Sequence, residues 1–302
     1  MNLIKTTYRK ILSVLPDKLA NGIIFFRGYK KIMNLKHPVY LGEKIQWLKM
    51  NGNMEELSIY VDKYEVRSFV KNTIGKEYLI NIFGVYDNVE DIDFDKLPNR
   101  FVLKCTNGSQ AVVICKDKSE LNIEKVKKEM KKWLKVDFYK IKKEYQYKNI
   151  KNRIIIEEYL EDESGDLRDY KFYCIDGEPY CYSVFSERFT DKTVDMYDKK
   201  GNWLPDVFNG GPNSKIKRKK PPHKLENLDQ MLDICRRLSK TFTFVRVDFY
   251  IVEGKVYFGE LTFTDGAGGE PIKPLNFDLK LAENIKLKSV LKKNVTLNDK
   301  YI

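Results

Sequence analysis

FVRVDFYIVEGKVYFGELTFT, residues Phe244–Thr264, is the stretch whose reading decides the fold. Its β-branched and aromatic residues on either side of Val252-Glu253-Gly254 predict two strands joined by a tight turn. Side chains alternate along a strand, so Arg246 and Asp248 share one face while Val245, Val247 and Phe249 share the other. On the second strand Glu260, Thr262 and Thr264 lie together. The turn decides whether the two polar faces coincide. A two-residue loop of Glu253-Gly254 pairs Asp248 with Gly259 and sends Glu260 to the opposite side. A three-residue loop ending in a left-handed Gly254 pairs Arg246 with Glu260 and sets Asp248 diagonally beside them. In that second register two carboxylates, a cation and hydroxyls share a patch. Hard oxygen donors of this kind suit Mg²⁺, which binds one or two carboxylates together with substrate phosphates. An ordinary amphipathic hairpin with its charges in water is the plainer alternative.

The 302-residue chain is long enough for a large core, and its 42% apolar and 13% aromatic content marks a folded protein. Its net charge of +12, from 55 basic and 43 acidic residues, favours an acidic partner without choosing among glycan, nucleotide, nucleic acid and membrane surface. Five cysteines without CxxC spacing fit a reducing, cytoplasmic setting. The N-terminus lacks the apolar core and small-residue cleavage site of a signal peptide, so none is expected, and no run of about 18 apolar residues occurs in the sequence. His37 and His223, the two histidines, both adjoin prolines, which argues against histidine-ligated zinc and histidine-based triads.

Outward from the hairpin, residues 1–35 predict one or two amphipathic helices broken near Pro16. Docking on the body is the favoured use, and attachment to the inner face of a membrane is the second. Helices are expected at Leu41–Met50, Asp62–Ile74, across 120–148 and at Leu225–Lys240. Asp62 is a candidate N-cap, which puts Lys63 in a first turn that favours anions. Residues 100–117 predict strand, turn and strand, with Lys104 ending the first strand. The turn Thr106-Asn107-Gly108-Ser109-Gln110 offers backbone amides to an anion. RIIIEEYLEDESG, from Arg153, predicts a buried strand running into an acidic loop, and Asp169–Val184 a hairpin turning at Asp176-Gly177. The basic run KIKRKK, 215–220, predicts a solvated loop.

In this order the pieces resemble the ATP-grasp ligases over roughly residues 40–282. The DKY-x-VR helix, the FVLKC strand, the EEYLEDESG-like hinge and the VRVDFY…GELTFT hairpin are similar to those of the TupA-like branch, named for teichuronopeptide synthesis. The resemblance implies an α+β ATP-grasp fold with two lobes holding ATP between antiparallel sheets. The expected divisions are a helical extension (1–40), the first part of the core (41–75), a lid subdomain (76–157) and a catalytic lobe (158–302). Lys63 and Lys104 would hold the α- and β-phosphates, with Asn107, Gly108 and Ser109 in the lid turn. That turn is poorer in glycine than many ATP-grasp lids. Glu157, Glu158, Tyr159 and Leu160 would form the hinge at adenine, Glu163 would meet the ribose, and Asp169 and Lys171 would face substrate or phosphate. Asp248 and Glu260 take the Mg²⁺ positions, and Thr262 stands where most ATP-grasp enzymes carry Asn. Arg246 and Arg188 are candidate cations over the acylphosphate or the tetrahedral intermediate.

The implied activity is an amide ligase that phosphorylates a carboxylate to an acylphosphate for attack by an amine or amino acid. Its acceptor would be a uronic-acid glycan of the cell surface or the precursor of one. Two rivals are weighed against it. A glycosyltransferase would use the DxD pairs Asp91-Asp93 and Asp93-Asp95. A non-catalytic polyanion binder would rest on charge alone, but aromatic residues do not interleave with the basic runs, which speaks against nucleic acid. GxxxxGK and GxGxxG are both absent from the sequence.

Overall fold

Residues 3–109, 111–163, 165, 167–186, 193–209, 225 and 227–287 are described by the structure, a computed structural model. The strands, in chain order, are β1 (Ile82–Tyr86), β2 (Phe101–Cys105), β3 (Val112–Cys115), β4 (Ile154–Glu158), β5 (Asp169–Ile175), β6 (Glu178–Ser186), β7 (Thr193–Asp198), β8 (Phe244–Val252) and β9 (Lys255–Thr262). They form two antiparallel sheets, ordered β1-β4-β2-β3 and β7-β6-β5-β8-β9. The β5–β6 hairpin turns at Asp176-Gly177, whose φ angles of 51° and 88° are those of a two-residue loop.

The helices are α1 (Leu3–Val14), α2 (Asp17–Tyr29), α3 (Leu41–Asn51), α4 (Ser58–Val61), α5 (Val66–Thr73), α6 (Ile123–Leu134), α7 (Phe138–Lys142), α8 (Leu228–Ser239) and α9 (Leu275–Glu283). The helix expected at Asp62–Ile74 begins only at Val66, and the one expected across 120–148 is broken. The chain turns between α4 and α5 because Asp62 Oδ1 accepts from the amides of Tyr64 at 2.8 Å and Glu65 at 3.0 Å, so Lys63 sits in this turn. The basic stretch 120–148 is also interrupted. Asn152 Nδ2 donates to Leu134 O at 2.7 Å where α6 ends, Asp137 caps α7, and Lys143 ends α7 at φ 54°. No proline or glycine marks either break.

Two apolar cores result. One joins Phe101, Leu103, Ile154 and Ile156 of the first sheet to Val126 and Met130 of α6. The larger core lies on the second sheet and draws on α3 to α5, α8 and α9. On α8 the buried Met231, Ile234, Cys235 and Leu238 follow the helical repeat. Residues 41–74 thus share a core with residues 170–285, while the first sheet has its own.

Pro16 separates α1 from α2, and both pack on the body. Leu12, Ala20 and Ile24 meet Ala267, and Gly28 approaches so closely that an added Cβ would sit 1.8 Å from Gly269 O. Tyr29 donates to Asp278 Oδ2 at 2.8 Å, and Leu41 N donates to Asp278 Oδ1 at 2.8 Å, tying α2, α3 and α9 together. Lys49 of α3 is buried among oxygens: Nζ donates to Asn21 Oδ1 at 2.7 Å, Lys142 O at 2.8 Å and Ala267 O at 3.3 Å. Burial pulls the Lys49 ammonium down from 10.5 to about 7, against the opposing charge of Glu144. Between those values the unfolded chain binds the extra proton, so this group makes the fold more stable as pH rises from 7 to 10.5 and contributes a constant penalty below 7. Denaturant titrations of wild type and Lys49→Met should therefore diverge, the wild type gaining relative to the variant from pH 7 to 10. Parallel stabilities across that range would contradict the assignment.

Candidate active site

The β8–β9 turn is the two-residue loop, with Glu253 at φ 51° and Gly254 at φ 73°, and Val252 pairs with Lys255. The expected consequence does not follow, because the register shifts between Asp248 and Phe249. Phe249 pairs with Phe258, Gly259 is the extra residue, and Asp248 pairs directly with Glu260 and Arg246 with Thr262. The Arg246–Glu260 pairing of the three-residue register is thereby corrected, yet the two carboxylates do share a face. An added Cβ at Gly259 would lie 3.0 Å from Asp248 O, so glycine lets the bulge close against β8.

Asp248 is 1% exposed and stands inside a ladder of alternating charge. Lys171 Nζ lies 2.7 Å from Asp169 Oδ2 and 2.5 Å from Asp248 Oδ2. Arg246 Nε and Nη2 hold Asp248 Oδ1 and Oδ2, each at 2.7 Å. Arg246 Nη2 also reaches Glu260 Oε1 at 3.3 Å and Thr262 Oγ1 at 3.1 Å, and Nη1 donates to Asp265 Oδ1. Asp265 in turn accepts from Asn209 at 2.9 Å and Tyr173 at 3.1 Å. Burial pushes the Asp248 carboxyl up, but Arg246 and Lys171 outweigh it and hold it below the usual carboxylate range. Burial likewise opposes the charge of Lys171, yet Asp169 and Asp248 raise it above the ordinary lysine value.

A cavity of about 550 Å³ opens between the two sheets beside this ladder. Lys63, Lys104, Ser109, Glu157, Glu158, Tyr159, Leu160, Asp169, Lys171, Asp248 and Glu260 line it, so most of the expected residues meet at one place. Leu79, Ile80, Val102, Ile114 and Phe258 add an apolar wall. Lys63 donates to Gly108 O at 2.5 Å, and burial lowers its pKa. Lys104 is paired with Glu157 at 2.5 Å.

Other expected residues stand off the wall. Arg246 and Thr262 lie behind it, engaged as above. Asn107 is buried, with Nδ2 3.4 Å from Val136 O. Glu163 is 75% exposed and drawn to Arg168 at 2.5 Å. Arg188, Gln110 and the 215–220 run lie outside the described residues. Asp93 caps its own turn and pairs with exposed Lys96 at 3.0 Å, so the DxD pairs are surface turns away from the cavity. Sequence reading assigned no part to two cations of the lining, Arg67 and Lys116. Arg67 belongs to the quoted DKY-x-VR motif, and Lys116 follows β3; nothing local to either announces a cavity. Asp265, opening the DGAGGE turn, was passed over in the same way.

Residues 43–286 match the family described as TupA-like ATPgrasp. The chain belongs to the TupA-like ATP-grasp family. ATP-grasp is thus its fold, α+β with two antiparallel sheets, and ATP with Mg²⁺ are the cofactors of its class. No curated protein matches the chain. Among solved structures, it is 16% identical to the D-alanine–D-alanine ligase of Bacillus anthracis complexed with ATP, with a TM-score of 0.41, over 70% of this chain and 57% of that one. The ATP-grasp ligase PsnB with a phosphomimetic precursor variant, Mg and ADP is 12% identical with a TM-score of 0.45, over 81% of this chain and 66% of that one. N5-carboxyaminoimidazole ribonucleotide synthetase of Thermotoga maritima is 13% identical with a TM-score of 0.39, over 78% and 52%. The family match alone carries the assignment.

The side chains of this ATP-grasp site fit both cofactors. Asp169, Asp248, Asp265 and Glu260 stand around Lys171 and Arg246, leaving the cluster formally two charges negative, as a divalent cation requires. Glu260 Oε2 carries none of these bonds and Glu260 lines the cavity. Among the described residues no three His, Cys, Asp or Glu form a ready cage. The half-buried Lys63, held by a carbonyl, suits a polyphosphate anion.

The same geometry separates two substitutions. Asp248→Asn leaves buried Arg246 and Lys171 short of a carboxylate and should cost up to about 3–5 kcal/mol. Glu260→Gln, at a side chain 40% exposed, should cost under about 1 kcal/mol. Urea denaturation of both variants checks this; equal losses would contradict the ladder.

Proposed function

We propose that the protein is an ATP-dependent carboxylate–amine ligase. It attaches an amine or amino acid to a uronic-acid carboxylate of a cell-surface polysaccharide or its precursor. The observation that carries this reading is the cross-strand Asp248–Glu260 pair beside a cavity that Lys63, Lys104 and Lys171 also line. The +12 net charge supports a polyanionic acceptor.

In this reading the adenine lies against the apolar wall and the Glu157–Leu160 segment. Lys63 and Lys104 turn to the phosphates, Lys104 exchanging Glu157 for a phosphate oxygen. Asp248 and Glu260 hold Mg²⁺, which neutralises charge on the phosphoryl oxygens when bound. Arg246 has its guanidinium committed to Asp248, Asp265, Glu260 and Thr262, so it fixes the carboxylates and adds positive potential from behind. Lys171, on the wall, is the cation nearest to hand for the transferred group. The acceptor carboxylate attacks the γ-phosphorus and ADP leaves; the amine then attacks the acyl carbon and phosphate leaves with the bridging oxygen. No side-chain nucleophile takes part. Asn107 to Ser109 serve as the lid turn.

ADP release in the presence of Mg-ATP should require both a uronic-acid glycan and an amine. Glu260→Gln should lower kcat at least about 100-fold while the protein stays folded. Consumption of a UDP-sugar without ATP turnover, or full activity in Glu260→Gln, would overturn the proposal.

A further inference from the structure

The N-terminal helix pair has a second face that neither the fold nor the proposed reaction uses. Ala20, Asn21, Ile24, Phe25 and Tyr29 of α2 are buried on the body. On the opposite side of α2 Leu19, Ile23 and Phe26, spaced four and three residues apart, are 58%, 40% and 53% exposed. Ile11 and Val14 of α1, three residues apart, are exposed at 48% and 81%. Most of the exposed large apolar residues of the described chain fall between Ile11 and Val39, so they are concentrated in this N-terminal segment and not scattered along the chain.

Charge is concentrated in the same place. The first 40 residues hold eight basic side chains and one acidic, seven of the twelve net positive charges of the chain. The single acid, Asp17, turns inward: its carboxylate accepts from Tyr139 at 3.0 Å and from Tyr145, and lies 3.4 Å from Lys143. Lys10, Lys18, Arg27 and Lys30 remain exposed around the apolar stripes. An amphipathic helix with an apolar stripe and a basic border is built to lie in an anionic lipid interface, where apolar insertion and electrostatic attraction act together. Among the described residues no helix is long and apolar enough to cross a membrane, so the contact is with the surface. A second copy of this chain fits poorly, since it would bring the same positive charge against this face. We infer that α1 and α2 dock the enzyme, through Ile11, Val14, Leu19, Ile23 and Phe26, on an anionic bilayer surface.

The test is flotation of the full chain with phosphatidylcholine vesicles, with and without phosphatidylglycerol. The chain should float with the anionic vesicles, release as salt rises, and stay behind with the neutral ones. Ile23→Ser/Phe26→Ser and Lys18→Glu/Lys30→Glu should each weaken partition tenfold or more, with unchanged thermal unfolding, because all four side chains are exposed. Absence of flotation would overturn the inference, as would flotation that Ile23→Ser/Phe26→Ser leaves unchanged. Two further outcomes would reassign the face. Self-association lost in Ile23→Ser/Phe26→Ser, seen by sedimentation equilibrium without flotation, would point to a second copy. Equal affinity for polyglutamate and for anionic vesicles would point to an acidic protein.

Discussion

Asp248 is a fully buried carboxylate, and its ionisation depends on two cations that reach it from different directions. Arg246 comes from two residues earlier on β8, and Lys171 from the neighbouring β5. Each cation is shared with a further acid, Asp265 for Arg246 and Asp169 for Lys171. A buried charge of this kind is tolerated only when its partners are held in place. The ladder therefore constrains the register of β5, β8 and β9 together, and with it the position of the cavity wall.

Glu260 enters this arrangement through a backbone irregularity. A regular hairpin closed by Glu253-Gly254 would have placed it on the apolar side of the sheet. The extra residue at Gly259 rotates the rest of β9 by one position and returns the carboxylate to Asp248. The result is a site whose anionic corner is rigid and already surrounded by positive charge. Across the cavity Lys63, in the turn before α5, and Lys104, on β2, have exchangeable partners, a carbonyl and Glu157. In the proposed reaction, a rigid acidic corner for the metal would face adjustable lysines for the phosphates, which suits phosphoryl transfer, where most of the work is positioning and charge neutralisation.

Much of this could be read from the residues themselves. The alternation in VRVDFY and the turn at Glu253-Gly254 predicted the hairpin, and the β2 and β4 segments were legible from their β-branched runs. The bulge was not, because a glycine in a strand signals a close approach without saying which way the register moves. The capping part of Asp62 was legible, but the turn that delays α5 to Val66 and the break after Leu134 were hidden. Each is set by polar side chains, Asp62, Asp137 and Asn152, that compete with helical hydrogen bonding, and the helical periodicity continues across them. Arg67, Lys116 and Asp265 gain meaning only from neighbours far along the chain. The two faces of α2 were half legible: its amphipathicity was plain, but which apolar residues meet the body depends on Gly28 fitting against Gly269.

The central claim is that the carboxylate is activated by phosphoryl transfer within this cavity. The most direct measurement follows the oxygen. With a uronic-acid acceptor labelled with oxygen-18 in its carboxylate, ATP, Mg²⁺ and an amine, the account predicts one labelled oxygen in each phosphate released, read by mass spectrometry. Phosphate released without label during amide formation would contradict it.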